Sequence, residues 1–308
     1  MTPSHRSVIA LAGGSGDLGG RIAEALVARG ATVRALVRPD ASSDKRNRLI
    51  AHGAGVVVAD PFDVAAMAQA LGGARCVISA LNGLRPVIVD RQRALLEAAI
   101  AAQVPRFIPS DFSADFTKTQ PGRNRNFDLR REFKSILDRA PIEATSILNG
   151  AFMDMLGAEM PIIQPWVHRV LYWHDADQKL DFTTKDDTAA FTAAAALDPA
   201  APRILRIAGD SLSAREIAAA MSRLESRVYL PQWVGNIAML STMIAVSKRI
   251  APGKREAFPP WQGMQYMRDQ FSGDAKLEKL DNGRYPELTW TAFEAMMVAR
   301  QASHSRTI

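Results

Sequence analysis

Apolar residues recur through the first half of the chain in two alternating rhythms. Short unbroken apolar runs fit strands buried on both faces, and the stretches between them place apolar residues every three to four positions, as a helix does. Residues 8–11 form the first run, and Ile22, Leu26 and Val27 carry helical spacing soon after it. Residues 31–37 predict a second strand, entered from Gly30 and stopped by Pro39. The spacing then predicts strands over 55–60, 76–81, 106–109 and 144–148, with Asn82-Gly83 as the turn after the fourth strand. Helices are predicted over 64–71, 90–103 and 127–139. Repeated units of this size predict an α/β fold with a mostly parallel sheet covered on both faces.

The rhythm changes after residue 152. Met153, Met155, Met160, Pro161, Pro165 and Trp166 crowd together. Residues 203–209 predict a further strand, and Ser213 with Glu216 reads as a capping box opening a helix to about residue 224. Residues 228–272 read as a separate helical piece rich in Met and Trp. The expected organisation is a dinucleotide-binding domain over 1–152, rejoined by 183–226. A smaller, mainly helical substrate lobe is expected from 153–182 and 227–308.

The loop after the first strand narrows the function. Gly14, Gly16 and Gly19 satisfy G-x-G-x-x-G, and Gly13, Gly16 and Gly19 satisfy G-x-x-G-x-x-G. Between a strand and a helix, such a turn lets the backbone approach a pyrophosphate, and the helix start offers N–H groups and a favourable dipole. No Lys-[Ser/Thr] follows, so this is not an ATP-type P-loop. The pattern predicts a Rossmann-type doubly wound domain. Gly13, Ser15, Gly16, Asp17 and Leu18 are the candidate pyrophosphate contacts. Asp17 is an oddity, since a carboxylate repels phosphate unless it turns to solvent.

Arg38 ends the second strand, where an NAD enzyme would place an acid for the ribose. A guanidinium suits a 2′-phosphate, so NADP(H) is the expected cofactor, with Lys45, Arg46 and Arg48 adding positive potential. Asp40 is the counter-indication: folded back, it could serve a ribose hydroxyl and favour NAD. Ligands of such sheets bind beyond the carboxyl ends of the strands. That edge should carry Asp60, Leu81, Asn82, Gly83, Ser110, Asp111, Phe112, Asn149, Gly150 and Phe152.

Bulk properties exclude more than they add. The net charge of +6 is no nucleic-acid footprint. The basic stretch over 118–134 reads as a solvated loop and helix face, so no nucleic-acid partner is expected. The single cysteine, Cys76, lies in an apolar run and reads as core. Residues 1–7 hold no apolar leader and no later run suits a bilayer span, so a cytoplasmic protein without a membrane partner is expected. His168, His174, Asp175 and Asp177 fit no zinc spacing, and no metal is expected. Ser15 and Ser110 lack the partners of a hydrolase.

Four segments together carry a resemblance. Gly13-Gly14-Ser15-Gly16-Asp17-Leu18-Gly19, residues 33–38, Pro109-Ser110-Asp111-Phe112 and residues 145–152 resemble the atypical short-chain dehydrogenases of the NmrA-like and isoflavone-reductase-like group. The resemblance implies a Rossmann domain, NADP(H) and reduction of small, often aromatic or unsaturated substrates. The group also includes members that bind the dinucleotide without turning it over. None of the four tyrosines has a lysine four residues on, which excludes the Tyr-x-x-x-Lys mechanism of ordinary short-chain enzymes. Reductases of the group share a lysine in the helix before the sixth strand, and that position here is Arg130. Arginine stays protonated, so Arg130 could bind ribose or polarise a carbonyl as a fixed cation. Lys134, one turn on, is the candidate proton source, and Asp111 is a third catalytic candidate. The expected function is NADPH-dependent reduction of a small apolar substrate. The alternative is a catalytically silent NADP(H) sensor acting through a protein partner.

Overall fold

The apolar runs of the first half form one six-stranded sheet in the computed structural model, which describes residues 7–157 and 159–305. The strands are β1 (Val8–Ala12), β2 (Thr32–Val37), β3 (Gly55–Val58), β4 (Cys76–Ser79), β5 (Arg106–Ile108) and β6 (Glu143–Ala144). They lie in the order β3-β2-β1-β4-β5-β6, and every pairing is parallel. Parallel neighbours need crossovers. These are supplied by α1 (Asp17–Ala28), α2 (Ser43–Ala51), α3 (Val64–Leu71), α4 (Gln92–Ala101) and α5 (Arg125–Leu137). Strand order reverses between β1 and β4, where doubly wound sheets open a crevice at their carboxyl ends. Beneath one face, Ala10, Val77, Leu95, Ala98, Phe107 and Phe133 pack into a single core.

Two elements depart from their expected bounds. The fourth helix is preceded by a wide turn over Pro86–Arg91, so helical geometry begins before residue 90. The expected strand 144–148 is broken at Thr145. Its hydroxyl accepts from Arg106 Nη1 at 2.7 Å, and the Ser146 N–H turns to the Arg203 carbonyl at 2.9 Å. Thus β7 (Ser146–Leu148) leaves the main sheet and pairs with β12 (Ile204–Arg206). Arg106, 5% exposed, also donates to the carbonyls of Ala201 and Pro199, each at 2.8 Å, and to Glu143 Oε2 at 2.5 Å.

The chain divides into two compact units. The first runs to Phe112 and takes in Leu129–Ile147 and Thr188–Leu205. The second comprises Ser113–Asp128, Leu148–Asp187 and the chain from Arg206 onward. The boundaries therefore differ from those expected: 113–128, 148–152, 183–187 and 206–226 fall in the second unit. The helix α6 (Lys185–Leu197) is buried on nearly all sides, which suits its run of Ala, Thr and Phe.

The second unit contains more strand than its sequence announced. β10 (Arg169–Tyr172) pairs antiparallel with β9 (Ile163–Gln164) and parallel with β14 (Leu230–Trp233). β11 (Leu180–Thr183) joins β13 (Asp210–Leu212) and β8 (Ala151–Phe152). The stretch 228–272 is thus not wholly helical: it opens with β14 before α8 (Ile237–Ile250) and α9 (Pro260–Phe271). The helices α7 (Ala214–Glu225) and α10 (Phe293–Ser305) complete it, and the predicted capping box at Ser213 and Glu216 is formed. Met153, Leu156, Val170, Phe182, Met221, Leu240 and Phe271 share its core.

A buried polar network fastens the loop before α5 to α9. Asn124 Nδ2 donates to Asp269 Oδ2 at 2.8 Å, Gln262 Nε2 to Asn124 Oδ1 at 2.8 Å, and Gln265 Nε2 to the Arg123 carbonyl at 2.7 Å. Arg125 stacks over Trp261 at 4.5 Å and donates to the Ala257 carbonyl at 2.8 Å. Part of the basic stretch expected to be solvated therefore has a packing role.

Candidate cofactor and active site

The turn between β1 and α1 is built by close backbone contact. Gly13 has φ +81°, and a Cβ there would lie 2.5 Å from the Ala80 carbonyl oxygen. A Cβ on Gly19 would lie 2.2 Å from the Gly13 oxygen. The turn therefore closes on the helix only without side chains at these positions. Gly16 is the N-cap of α1 and supplies no side-chain cap, so the first N–H groups keep their capacity for an anion. This cradle fits a dinucleotide pyrophosphate.

Beside the turn is a cleft of about 480 Å³, lined by Gly14, Ser15, Gly16, Asp17, Gly20, Arg21, Glu24, Arg48, Leu49 and His52. Asp17 pairs with Arg21 at 2.8 Å, its side chain half exposed, which offsets the negative charge at the helix start. His52 Nδ1 meets Glu24 Oε1 at 2.5 Å. Of the downstream cations, Arg48 lines the cleft, whereas Arg46 donates to the Pro39 carbonyl at 2.8 Å. Arg38 follows β2 directly, half exposed, with Nε 3.4 Å from Asp40 Oδ1. Asp40 thus engages the guanidinium.

The other candidates on the carboxyl edge differ in their bonding. Asp60 lies two residues beyond β3, exposed, and accepts from the Phe62 N–H at 2.9 Å. Leu81, Asn82 and Gly83 follow β4. Ser110 is buried after β5; its hydroxyl donates to the Leu81 carbonyl at 2.5 Å, and its N–H donates to Gln92 Oε1 at 2.9 Å. The first bond ties the ends of β4 and β5 together, and the second ties the end of β5 to the start of α4. Phe112 is buried beside them.

Asp111 is 1% exposed, and its Oδ2 accepts from Ser146 Oγ at 2.6 Å. Burial pushes its carboxyl above the usual range, against the Ser146 bond and the charges of Arg130, Arg203 and Lys134. Arg130 is itself buried. The structure adds residues that the sequence did not single out. Arg203 Nη1 donates to Ser146 Oγ at 2.7 Å, and its Nε and Nη2 reach Asp138 Oδ1 at 2.9 and 2.6 Å. Lys134 Nζ bonds Asp138 Oδ2 at 2.5 Å. Burial acts upward on Asp138, but the bonds from Lys134 and Arg203 hold its carboxyl below the usual range. Lys134 is therefore committed to an ion pair.

Asn149, Gly150 and Phe152 belong to the second unit. The Asn149 side chain is fully buried, and neither its Oδ1 nor its Nδ2 has a partner among the described residues. Its backbone is fixed: its N–H donates to the Ser113 carbonyl at 2.9 Å and its carbonyl accepts from Thr183 Oγ1 at 2.7 Å. Gly150, at φ +68°, passes so close to Asp181 that a Cβ would lie 2.3 Å from its carbonyl oxygen. A buried amide held this firmly keeps its donor and acceptor capacity unused within the described residues. Elsewhere, burial pushes the Cys76 thiol up to about 12, as suits a core residue. Among the described residues no three His, Cys, Asp or Glu side chains are placed to hold a metal, and no helix is long and apolar enough to cross a membrane.

These features have relatives. A family model described as the NmrA-like family matches residues 5–240. The chain is similar to pinoresinol reductase 2 of Arabidopsis thaliana, 28% identical over 212 residues that cover 63% of this chain and 66% of the relative. The match thus spans just under two thirds of that reductase. It is similar to isoflavone reductase homolog IRL of Zea mays, 28% identical over 254 residues covering 77% and 80%. Among solved structures, it resembles the binary complex of leucoanthocyanidin reductase and NADPH from Vitis vinifera. The TM-score is 0.79 at 19% identity, over 95% of this chain and 99% of that one, a likeness of fold. On the family match across most of its length, the chain belongs to the NmrA-like family.

Proposed function

We propose that this chain is an NADP(H)-dependent reductase acting on a small, rather apolar phenolic or aromatic substrate with a carbonyl or unsaturated bond. The observation that carries the reading is the glycine cradle, closed at Gly13 and Gly19 and opening onto uncapped helix N–H groups. The reductase names of the relatives support the class of reaction. When bound, the dinucleotide supplies the hydride. The chain binds, orients and handles the proton.

Gly13 to Leu18 hold the pyrophosphate, and Arg38 takes the 2′-phosphate, exchanging Asp40 for a doubly charged anion. Ser110 positions the nicotinamide ribose, and Asn149, Gly150 and Phe152 serve the ring end of the cofactor. Arg130 acts as a fixed cation that stabilises negative charge developing on the substrate oxygen. Asp111 donates the proton: its burial favours the protonated form, which an acid needs. Lys134 positions Asp138, and through it Arg203 and Ser146.

The cofactor assignment is tested by calorimetric titration of the protein and Arg38→Ala with NADPH, NADP⁺ and NADH. NADPH should bind well and NADH weakly, and Arg38→Ala should erase the difference. Unchanged NADPH affinity in the variant would refute the role of Arg38. Binding of none of the three would refute the reading. The second reading, a silent NADP(H) sensor with a protein partner, is favoured by one observation: the lysine nearest Arg130 is held by Asp138. NADP⁺ bound far more tightly than NADPH, with no turnover on a panel of phenolic carbonyls, would select it.

A further inference from the structure

The helix α8 leaves an apolar stripe uncovered. Met239, Met243, Val246 and Ile250 are 47%, 45%, 48% and 78% exposed. Their spacing of four, three and four residues puts all four on one line along the helix. Leu240 and Ile244, on the neighbouring face, are buried in the core of the second unit. The helix is therefore held by the protein through its neighbouring face, while about half or more of each stripe side chain stays open to solvent. Isolated exposed apolar residues are ordinary; a contiguous stripe along a helix marks an interaction surface.

The charges around the stripe say what kind of surface it meets. Between Glu225 and Asp269 the sequence holds one acidic residue, Glu256. The C-terminal end of α8 and the loop after it carry Lys248, Arg249, Lys254 and Arg255, with Phe258 half exposed just beyond. Lys248 is engaged over the Trp261 ring at 4.8 Å, which leaves Arg249, Lys254 and Arg255 as the cations presented outward. An apolar stripe followed by exposed cations at and beyond the helix end, with one acid in the whole segment, matches the interface of an anionic bilayer. The acyl boundary takes the stripe and the headgroups take the cations. A second copy of this chain would offer these cations the same acid-poor face, with Glu256 as its one acid between Glu225 and Asp269.

We infer that α8 is a peripheral docking face for anionic membranes, with Met239, Met243, Val246 and Ile250 entering the acyl boundary and Arg249, Lys254 and Arg255 meeting the headgroups. The helix is preformed, so docking carries no coil-to-helix cost. It lies on the surface and does not span. This revises the expectation of no membrane contact, which rested on the lack of a spanning segment.

The test is vesicle flotation of the full chain, with phosphatidylcholine alone and with added phosphatidylglycerol. The chain should float with the anionic vesicles only, and less so as salt rises. Met243→Glu with Ile250→Glu should abolish flotation with all cations in place. Arg249→Gln, Lys254→Gln and Arg255→Gln should each lower the partition coefficient by roughly fivefold. All five positions are exposed, so unchanged thermal midpoints will show that the fold is kept. Absence of flotation by the wild-type chain would overturn the inference, as would flotation indifferent to the two glutamates. A dimer in sedimentation that Met243→Glu disperses, without vesicle binding, would also overturn it and assign the stripe to a second copy. None of these outcomes depends on NADPH binding.

Discussion

Gly19 and Gly20 are adjacent residues of α1, and alanine at each should move stability in opposite directions. Helix propensity alone favours both changes by about 0.8–1.0 kcal/mol. At Gly20 the new Cβ would lie 3.7 Å from its nearest neighbours, the Gly14 oxygen and His52 Nε2, an ordinary contact. The propensity gain should therefore survive. At Gly19 the Cβ would lie 2.2 Å from the Gly13 oxygen and 2.8 Å from the Gly13 carbon and the Gly14 Cα. All three are backbone atoms of the turn, which cannot rotate aside as a side chain would. Overpacking of this kind costs about 1–3 kcal/mol, and backbone neighbours put Gly19 at the upper end. The net is a loss of about 2 kcal/mol for Gly19→Ala against a gain of about 1 kcal/mol for Gly20→Ala. With about 2–4 °C of midpoint per kcal/mol, thermal melts should show Gly19→Ala about 4–8 °C below the parent and Gly20→Ala about 2–4 °C above it. The displaced turn should also weaken NADPH binding in Gly19→Ala. If both variants gain stability, the cradle is not closed as described and the argument for a pyrophosphate there fails.

Three further outcomes follow from buried polar groups. Asn149→Leu should raise the thermal midpoint of the ligand-free protein, because an unpaired buried amide costs roughly 1–3 kcal/mol, while lowering NADPH affinity; a lowered midpoint with intact affinity would refute its assignment. Burial raises the Asp111 carboxyl, so the folded state resists its ionisation. The penalty is absent below the unfolded value of about 3.9, grows as pH rises from there toward the folded value, and is constant above it. Asp111→Asn, which keeps an acceptor for Ser146, should therefore stabilise at about pH 8 and change little at about pH 4; a gain confined to acid would reverse the sign. Arg106→Leu should destabilise by roughly 3–5 kcal/mol in chemical denaturation, since the Pro199 carbonyl loses its donor and the Ala201 carbonyl keeps only the longer bond from Thr145 Oγ1 at 3.5 Å, and a loss under about 1 kcal/mol would show that these bonds are replaceable.

The first half of the fold was legible because parallel strands buried on both faces write themselves as apolar runs, and the helix over residues 64–71 falls where its spacing places it. The break at Thr145 was not legible. The run from Ala144 to Leu148 suits one strand, and it is interrupted by Arg106 and Arg203, 39 and 57 residues from their partners. β14 was hidden for a similar reason. Pro231 argues against a central strand, and the pairing depends on β10, far upstream. At the site, the glycine turn and the Pro-Ser-Asp-Phe turn were readable as local motifs. The brace of Ser146, Arg203 and Asp138 around Asp111 was not, because each member is unremarkable in its own segment. Lys134 shows the limit of helical spacing, which relates it to Arg130 one turn away but does not reveal its bond to Asp138.

The chain enters and leaves the first unit repeatedly, and that has a consequence for how the protein is made. Five strands of the sheet lie before residue 113, yet β6 belongs to Leu129–Ile147, and α6 contributes through Thr188–Leu205. On the ribosome the nascent sheet must wait while residues 113–205 are added, about 5–20 s at ordinary synthesis rates. Through that interval the edge of β5 stays open, and the cover that α5 and α6 supply is missing. Slowing translation across this region should therefore raise the yield of aggregate more than slowing it after residue 205, where the first unit is already whole.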